Sequence, residues 1–161
     1  MRRVLFTAMA VLIGIGLAGT AEAQNNIIRF TAVLSGANET PAVLTGAFAN
    51  ATVTLDTSTQ TVSWNIDVFN MPSGTNNAHF HVGGPGIAGP TVVNVAFPAG
   101  ISNDYNLSGS ATATNLLVRA DQGIRSWEDF LQALVGGQTY LNIHSVVNGG
   151  GEIRGQVIRV P

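Results

Sequence analysis

Thr61-Val62-Ser63-Trp64-Asn65-Ile66-Asp67-Val68-Phe69 is the stretch on which the fold reading turns. Val62, Trp64, Ile66 and Val68 occupy every second position, and Ser63, Asn65 and Asp67 fill the positions between. A period of two is that of a strand with one face in a core and one in water. Working outward, residues 56–60 read as a hairpin loop leading back to a strand over 48–55. Before it lie a polar loop over 35–41, with Gly36, Asn38 and Pro41 as turn residues, and a first strand over 27–34. On the other side come a turn at 71–76, a strand over 77–82 and a Gly/Pro loop over 83–90. Residues 91–97, 104–112 and 114–118 are further expected strands.

One segment breaks this pattern. Residues 126–136 read as a helix: Ser126 is placed to cap the first N–H groups, and Glu128 and Asp129 sit where the helix dipole favours negative charge. Trp127, Phe130, Leu131 and Leu134 share one face, and Gly136 ends the run. A last hairpin is expected from 138–146, a Gly149-Gly150-Gly151 turn and 152–160. Short strands with frequent turns give an all-β fold, a Greek-key β-sandwich or flattened barrel with one short helix near 126–136.

The first 23 residues read differently. Arg2 and Arg3 precede an apolar run over 4–19, and Ala21 and Ala23 supply small residues before a cleavage point. Residues 1–23 are expected to be a secretory signal peptide, leaving a single domain over 24–161 that begins at Gln24. The Arg pair leaves both Sec and twin-arginine export open. The location expected is therefore secreted or periplasmic, with no membrane span after cleavage. Cys is absent from all 161 residues, which excludes disulfides, thiolate chemistry and Cys-based metal sites. Lys is absent too; once Arg2, Arg3 and Glu22 leave with the leader, five Arg face eight acids. A weakly acidic chain without a basic cluster argues against nucleic acid and anionic membranes as partners.

Four stretches together resemble the CHRD (chordin-type) domain family. They are Phe30-Thr31-Ala32-Val33-Leu34-Ser35-Gly36-Ala37-Asn38-Glu39-Thr40-Pro41; Ala78-His79-Phe80-His81-Val82-Gly83 with Gly86 and Gly89-Pro90; Gly137-Gln138-Thr139-Tyr140-Leu141-Asn142-Ile143-His144-Ser145; and Gly151-Glu152-Ile153-Arg154-Gly155-Gln156-Val157. Their order covers nearly all of 24–161. The resemblance implies an extracellular β-domain, found as repeats in chordin and as stand-alone secreted bacterial proteins, but no particular activity. Without chordin's Cys-rich modules, growth-factor binding does not carry over. A looser likeness to copper–zinc superoxide dismutases, in the sandwich and the His-x-His strand, is at the level of fold alone.

All three histidines, His79, His81 and His144, fall in these motifs. His79 and His81, two apart on a strand, leave the same face, while Ala78, Phe80 and Val82 take the other. On the later strand Tyr140, Asn142 and His144 share a face. If the two strands meet, three imidazoles converge, as in the tris-imidazole zinc site of carbonic anhydrase. Imidazole nitrogen suits copper or zinc, and copper wins on affinity. A histidine brace is excluded by Gln24 as the new N-terminus. A blue-copper site is excluded by the lack of Cys. Water, Glu152 or Asp104 could take a fourth position, and Asn142 or Asn77 could orient the rings.

Three functions follow. The first is an exported protein binding one transition-metal ion, copper before zinc, through His79, His81 and His144 for sequestration or delivery. The second is a metal-free structural or adhesion module whose partner is an extracellular protein or polymer. The third, an enzyme of dismutase-like or zinc-hydrolase type, ranks last because no general base stands out and no catalytic residue is assigned. Glu152 and Arg154, two apart, are expected to form an ion pair. Phe30, Trp64 and Phe80 are expected in the core, and Gly83, Gly84, Gly86 and Gly89 in a tight turn rather than a phosphate cradle. Asn38, Asn50 and Asn106 begin Asn-x-Ser/Thr sequons, which matter only in a host that glycosylates them.

Overall fold

A computed structural model describes residues 26–161. The expected leader over 1–23 and the new N-terminus at Gln24 lie outside these residues. Among these residues nine strands form: β1 (Ile27–Ser35), β2 (Phe48–Asp56), β3 (Thr61–Met71), β4 (Thr75–Val82), β5 (Thr91–Asn94), β6 (Asn103–Ala111), β7 (Thr139–Ser145), β8 (Ile153–Gln156) and β9 (Ile158–Arg159). They make one sheet in the order β5-β4-β7-β8-β1-β2-β3-β6, with β9 added against β1. Every pairing is antiparallel. The sheet curls into a nearly closed, barrel-like form, in keeping with the expected all-β fold with one short helix. The two sheet margins approach where the Thr75 N–H donates to the Ile101 carbonyl, 2.7 Å, and Thr75 Oγ1 meets the Tyr105 hydroxyl, 2.5 Å.

The alternation that suggested β3 is what fills the interior. Val62, Trp64, Ile66 and Val68 are buried, in register with Leu55, Val53, Ala51 and Ala49 of β2. Phe30, Ala32 and Leu34 of β1 continue the same layer. β3 runs two residues further than its alternation suggests. Asn70 adopts a left-handed conformation, φ 55°, and its N–H goes to Asp104, 2.8 Å. The resulting bulge resets the phase so that Met71 is buried.

One end of the barrel is covered by α1 (Trp127–Val135). Ser126 accepts from the Asp129 N–H, and the Asp129 carboxylate accepts in return from the Ser126 N–H, a reciprocal cap. Trp127, Phe130, Leu131 and Leu134 face inward; Phe130 packs edge-on to Phe80, 6.4 Å, and Phe80 lies 5.4 Å from Trp64. The Trp127 indole donates to the Gln60 carbonyl, 2.7 Å, fastening the helix to the β2–β3 turn. Each such buried large apolar side chain contributes about 1.5–3 kcal/mol.

Three expected elements differ. Residues 114–118 are not a strand. The Asn115 side chain accepts from the Thr112 N–H and holds a 3-10 turn at Ala113–Asn115, a local hydrogen bond outcompeting the ladder. β5 ends at Asn94 rather than residue 97. The last hairpin is split: β8 pairs with β7 as far as Gln156, and β9 then crosses to pair with Phe30 and Thr31 of β1.

β7 departs from alternation altogether: all seven of its residues are buried. Leu141 and Ile143 face the core. Tyr140, Asn142 and His144 face outward, where the segments over 36–41, 83–90 and 146–151 contact this polar layer. The candidate site lies under this cover.

Candidate metal centre

β4 and β7 pair with His79 opposite Asn142, His81 opposite Tyr140 and His144 opposite Asn77. His144 is thus one step along the shared face from His79, within reach across the pair. The rings pack accordingly, with centroids 5.3 Å apart for His79 and His81, 5.1 Å for His79 and His144, and 6.4 Å for His81 and His144. One nitrogen from each ring lies within 4.8 Å of the other two. The three are nearly enclosed, at 8–9 % exposure.

The hydrogen bonds decide which nitrogens are free. A carbonyl only accepts, so Nδ1 of His81 carries the proton it donates to Gly89, 2.9 Å, and Nδ1 of His144 carries the one it donates to Gly149, 2.9 Å. In the neutral rings both Nε2 atoms then hold lone pairs. Nε2 of His144 faces Nδ1 of His79 at 3.2 Å. Nε2 of His81 is buried and has no hydrogen-bond partner. A buried acceptor without a partner costs free energy unless something fills its lone pair.

The spacing fits a small cation. Two nitrogens bound at about 2.0–2.1 Å on a tetrahedral ion stand about 3.4 Å apart. The 3.2 Å between His79 and His144 is already close to that value. The widest pair, no more than 4.8 Å apart, closes by at most about 1.4 Å to match it.

Burial is the main influence on protonation. It pushes His79 and His81 from 6.5 down to about 4, assisted by the neighbouring imidazoles and, at His81, by Arg154 and Arg119, against the pull of the Gly89 hydrogen bond. His144 is lowered as well, by burial against the opposing pull of the Gly149 hydrogen bond. Neutral rings are the metal-ligating form.

Several partners differ from those expected. The Asn142 amide, directly across the pair from His79, donates to Glu39, 2.5 Å, rather than to a ring. Asn77 is exposed. The orienting partners are instead the backbone carbonyls of Gly89 and Gly149, which leave no mark in side-chain chemistry. Among the described residues neither Glu152 nor Asp104 joins the cluster. Glu152 is fully buried against Ser145, 2.7 Å, and Asn148, 2.6 Å. Burial raises its pKa, but hydrogen bonds, those from Asn148 and Ser145 among them, hold it below the usual value. Asp104 accepts from Asn70. The expected Glu152–Arg154 ion pair does not form, because Arg154 donates to the carbonyls of Gly84, 3.1 Å, and Ile87, 2.8 Å.

Tyr140 was placed on the histidine face by the sequence but was given no role there. Its ring stacks on His81, 4.8 Å and 8° from parallel, with the Arg154 guanidinium 3.4 Å from its centroid. Its hydroxyl donates to the Gly89 carbonyl, 3.1 Å, and accepts from the Gly89 N–H, 3.0 Å. Gly89 therefore joins ring, hydroxyl and loop at one point. Only glycine fits there, since a Cβ would stand 1.6 Å from the Val82 carbonyl oxygen.

The family model for the CHRD domain matches residues 30–157, a span that includes the three histidines, Gly89, Tyr140 and Arg154. The chain belongs to the CHRD domain family. Among curated proteins and among solved structures nothing matches it. In this CHRD domain the second and third motif stretches are the strands β4 and β7, which meet at the imidazole cluster.

Proposed function

We propose that this CHRD domain is an exported protein that binds one transition-metal ion, copper before zinc, through His79, His81 and His144, for sequestration or delivery. The observation that carries the reading is the buried, unpartnered Nε2 of His81 beside the His79–His144 contact. Carbonyl-anchored Nδ1 atoms on His81 and His144 support it, because orienting a ring through its other nitrogen is how proteins prepare imidazole ligands. Copper takes precedence through the general order of divalent-metal affinity for nitrogen ligands. Three protein ligands leave a position for water or for a ligand from a receiving partner, which suits transfer. Export rests on the leader read in residues 1–23.

The test is elemental analysis of protein exported from the full chain and purified without chelator, followed by competitive titration with Cu(II) and Zn(II). One equivalent is expected, with His81→Ala weakening binding by more than about 100-fold. Equal affinity in a variant lacking all three rings would sink the proposal.

A further inference from the structure

Beside the imidazole cluster, a groove of about 450 Å³ opens on the outer face, lined by Thr31, Asn38, Glu39, Pro85, Arg154 and Gln156 among others. Its volume is that of a small-molecule site. Arg154 lies in it with only 3 % exposure. Both of its hydrogen bonds come from Nη2 and end on backbone carbonyls. Neither of those partners is a carboxylate. A guanidinium withdrawn from water and given only carbonyl dipoles and a ring face is costly to hold. Glu39 feels the charge of Arg154, yet burial outweighs that attraction and lifts its carboxyl to about 7, so it answers the charge only in part.

The geometry points to this groove as a binding site for a small organic carboxylate, whose two oxygens take the donors that Arg154 has not spent. A planar fork of N–H groups matches a planar pair of oxygens. The groove has room for a four- to six-carbon acid, and Val33 and Ile158 supply apolar walls for its chain. A phosphate dianion fits less well, because Glu39 shares the groove with Arg154. The site does not depend on the metal reading. His81 and Arg154 lie on strands either side of β7, with Tyr140 between them.

The experiment is an amide NMR titration of the ¹⁵N-labelled protein, stripped of metal on a chelating resin, with succinate at constant ionic strength. Succinamide, its neutral analogue, and inorganic phosphate are run alongside. Saturable shifts are expected at Asn38, Gly84 and Gly86 with succinate through the millimolar range. Arg154→Lys should weaken binding at least about tenfold. Glu39→Gln should tighten it severalfold at pH 8, and this variant decides the matter if Arg154→Lys does not fold. Absence of saturable shifts, equal shifts with succinamide, equal affinity for phosphate, or an unchanged constant in Glu39→Gln would overturn the assignment. Using metal-free protein keeps the outcome separate from that of the metal titration.

Discussion

Gly89→Ala tests whether the backbone around the rings holds them in place. The added Cβ would stand 1.6 Å from the Val82 carbonyl oxygen, where real Cβ contacts do not fall below 3.0 Å, so the two segments must part by about 1.4 Å. That movement pulls the Gly89 carbonyl from His81 Nδ1 and from the Tyr140 hydroxyl, bonds of 2.9 and 3.1 Å. Each buried donor left without a partner costs about 1–3 kcal/mol. Partial relaxation brings the total to about 3 kcal/mol, or roughly a 10 °C fall in melting temperature for a domain of this size. Metal affinity should fall about 10–100-fold, the usual effect of losing a partner that orients a ligand. The control is Gly149→Ala. Gly149 also offers its carbonyl to a ring, at His144, but a Cβ there meets nothing within 4 Å. It should melt and bind metal nearly as the parent does. Circular dichroism melts of metal-free protein and competition against a chromophoric chelator give the two readings. If Gly89→Ala matches Gly149→Ala in both, the carbonyl is not what holds His81.

The pKa shifts give two further expectations. The imidazoles have folded pKa values below the ordinary 6.5, about 4 for His79 and His81. Their contribution to stability is therefore complete above pH 6.5 and is lost as pH falls through about 4. Urea melts of metal-free protein at pH 7, 5.5 and 4 should show a steep decline, and a flat profile would contradict burial of neutral rings. Glu39 runs the other way: its folded value of about 7 exceeds 4.5, so stability is full below pH 4.5 and lost as pH rises through 7. Glu39→Gln should accordingly gain about 1 kcal/mol on the parent between pH 5 and pH 8, a figure reduced for the group's partial exposure; no change in the difference would refute the shift.

Much of the barrel was legible because its inner layer obeys simple periods. The alternation through Val62, Trp64, Ile66 and Val68, and the helical face of Trp127, Phe130, Leu131 and Leu134, each mark one buried side of one element. The convergence of His79, His81 and His144 was legible as a possibility, since period two placed their rings on defined faces. Strand pairing then decided it. What could not be read was carried by backbone. The carbonyls of Gly89 and Gly149 belong to no side-chain pattern. The left-handed turn at Asn70 shifts the phase by a geometry that composition does not encode. Residues 114–118 misled because Asn115 bonds to Thr112 locally, a competition invisible to hydrophobic pattern. Glu152 and Arg154 share a face and opposite charge, yet each found nearer polar partners on different segments.

β7 carries its side chains into two unlike surroundings, hydrocarbon on one side and a roof of connecting segments on the other. The roof has no ladder of its own to preserve. Away from confined glycines such as Gly36 and Gly89, substitutions within 36–41, 83–90 or 146–151 could therefore retune what the imidazole-bearing strands admit while leaving the barrel's strand register intact. A scaffold arranged this way separates the part that must stay constant from the part free to diverge, and new specificities would be sought first in the roof.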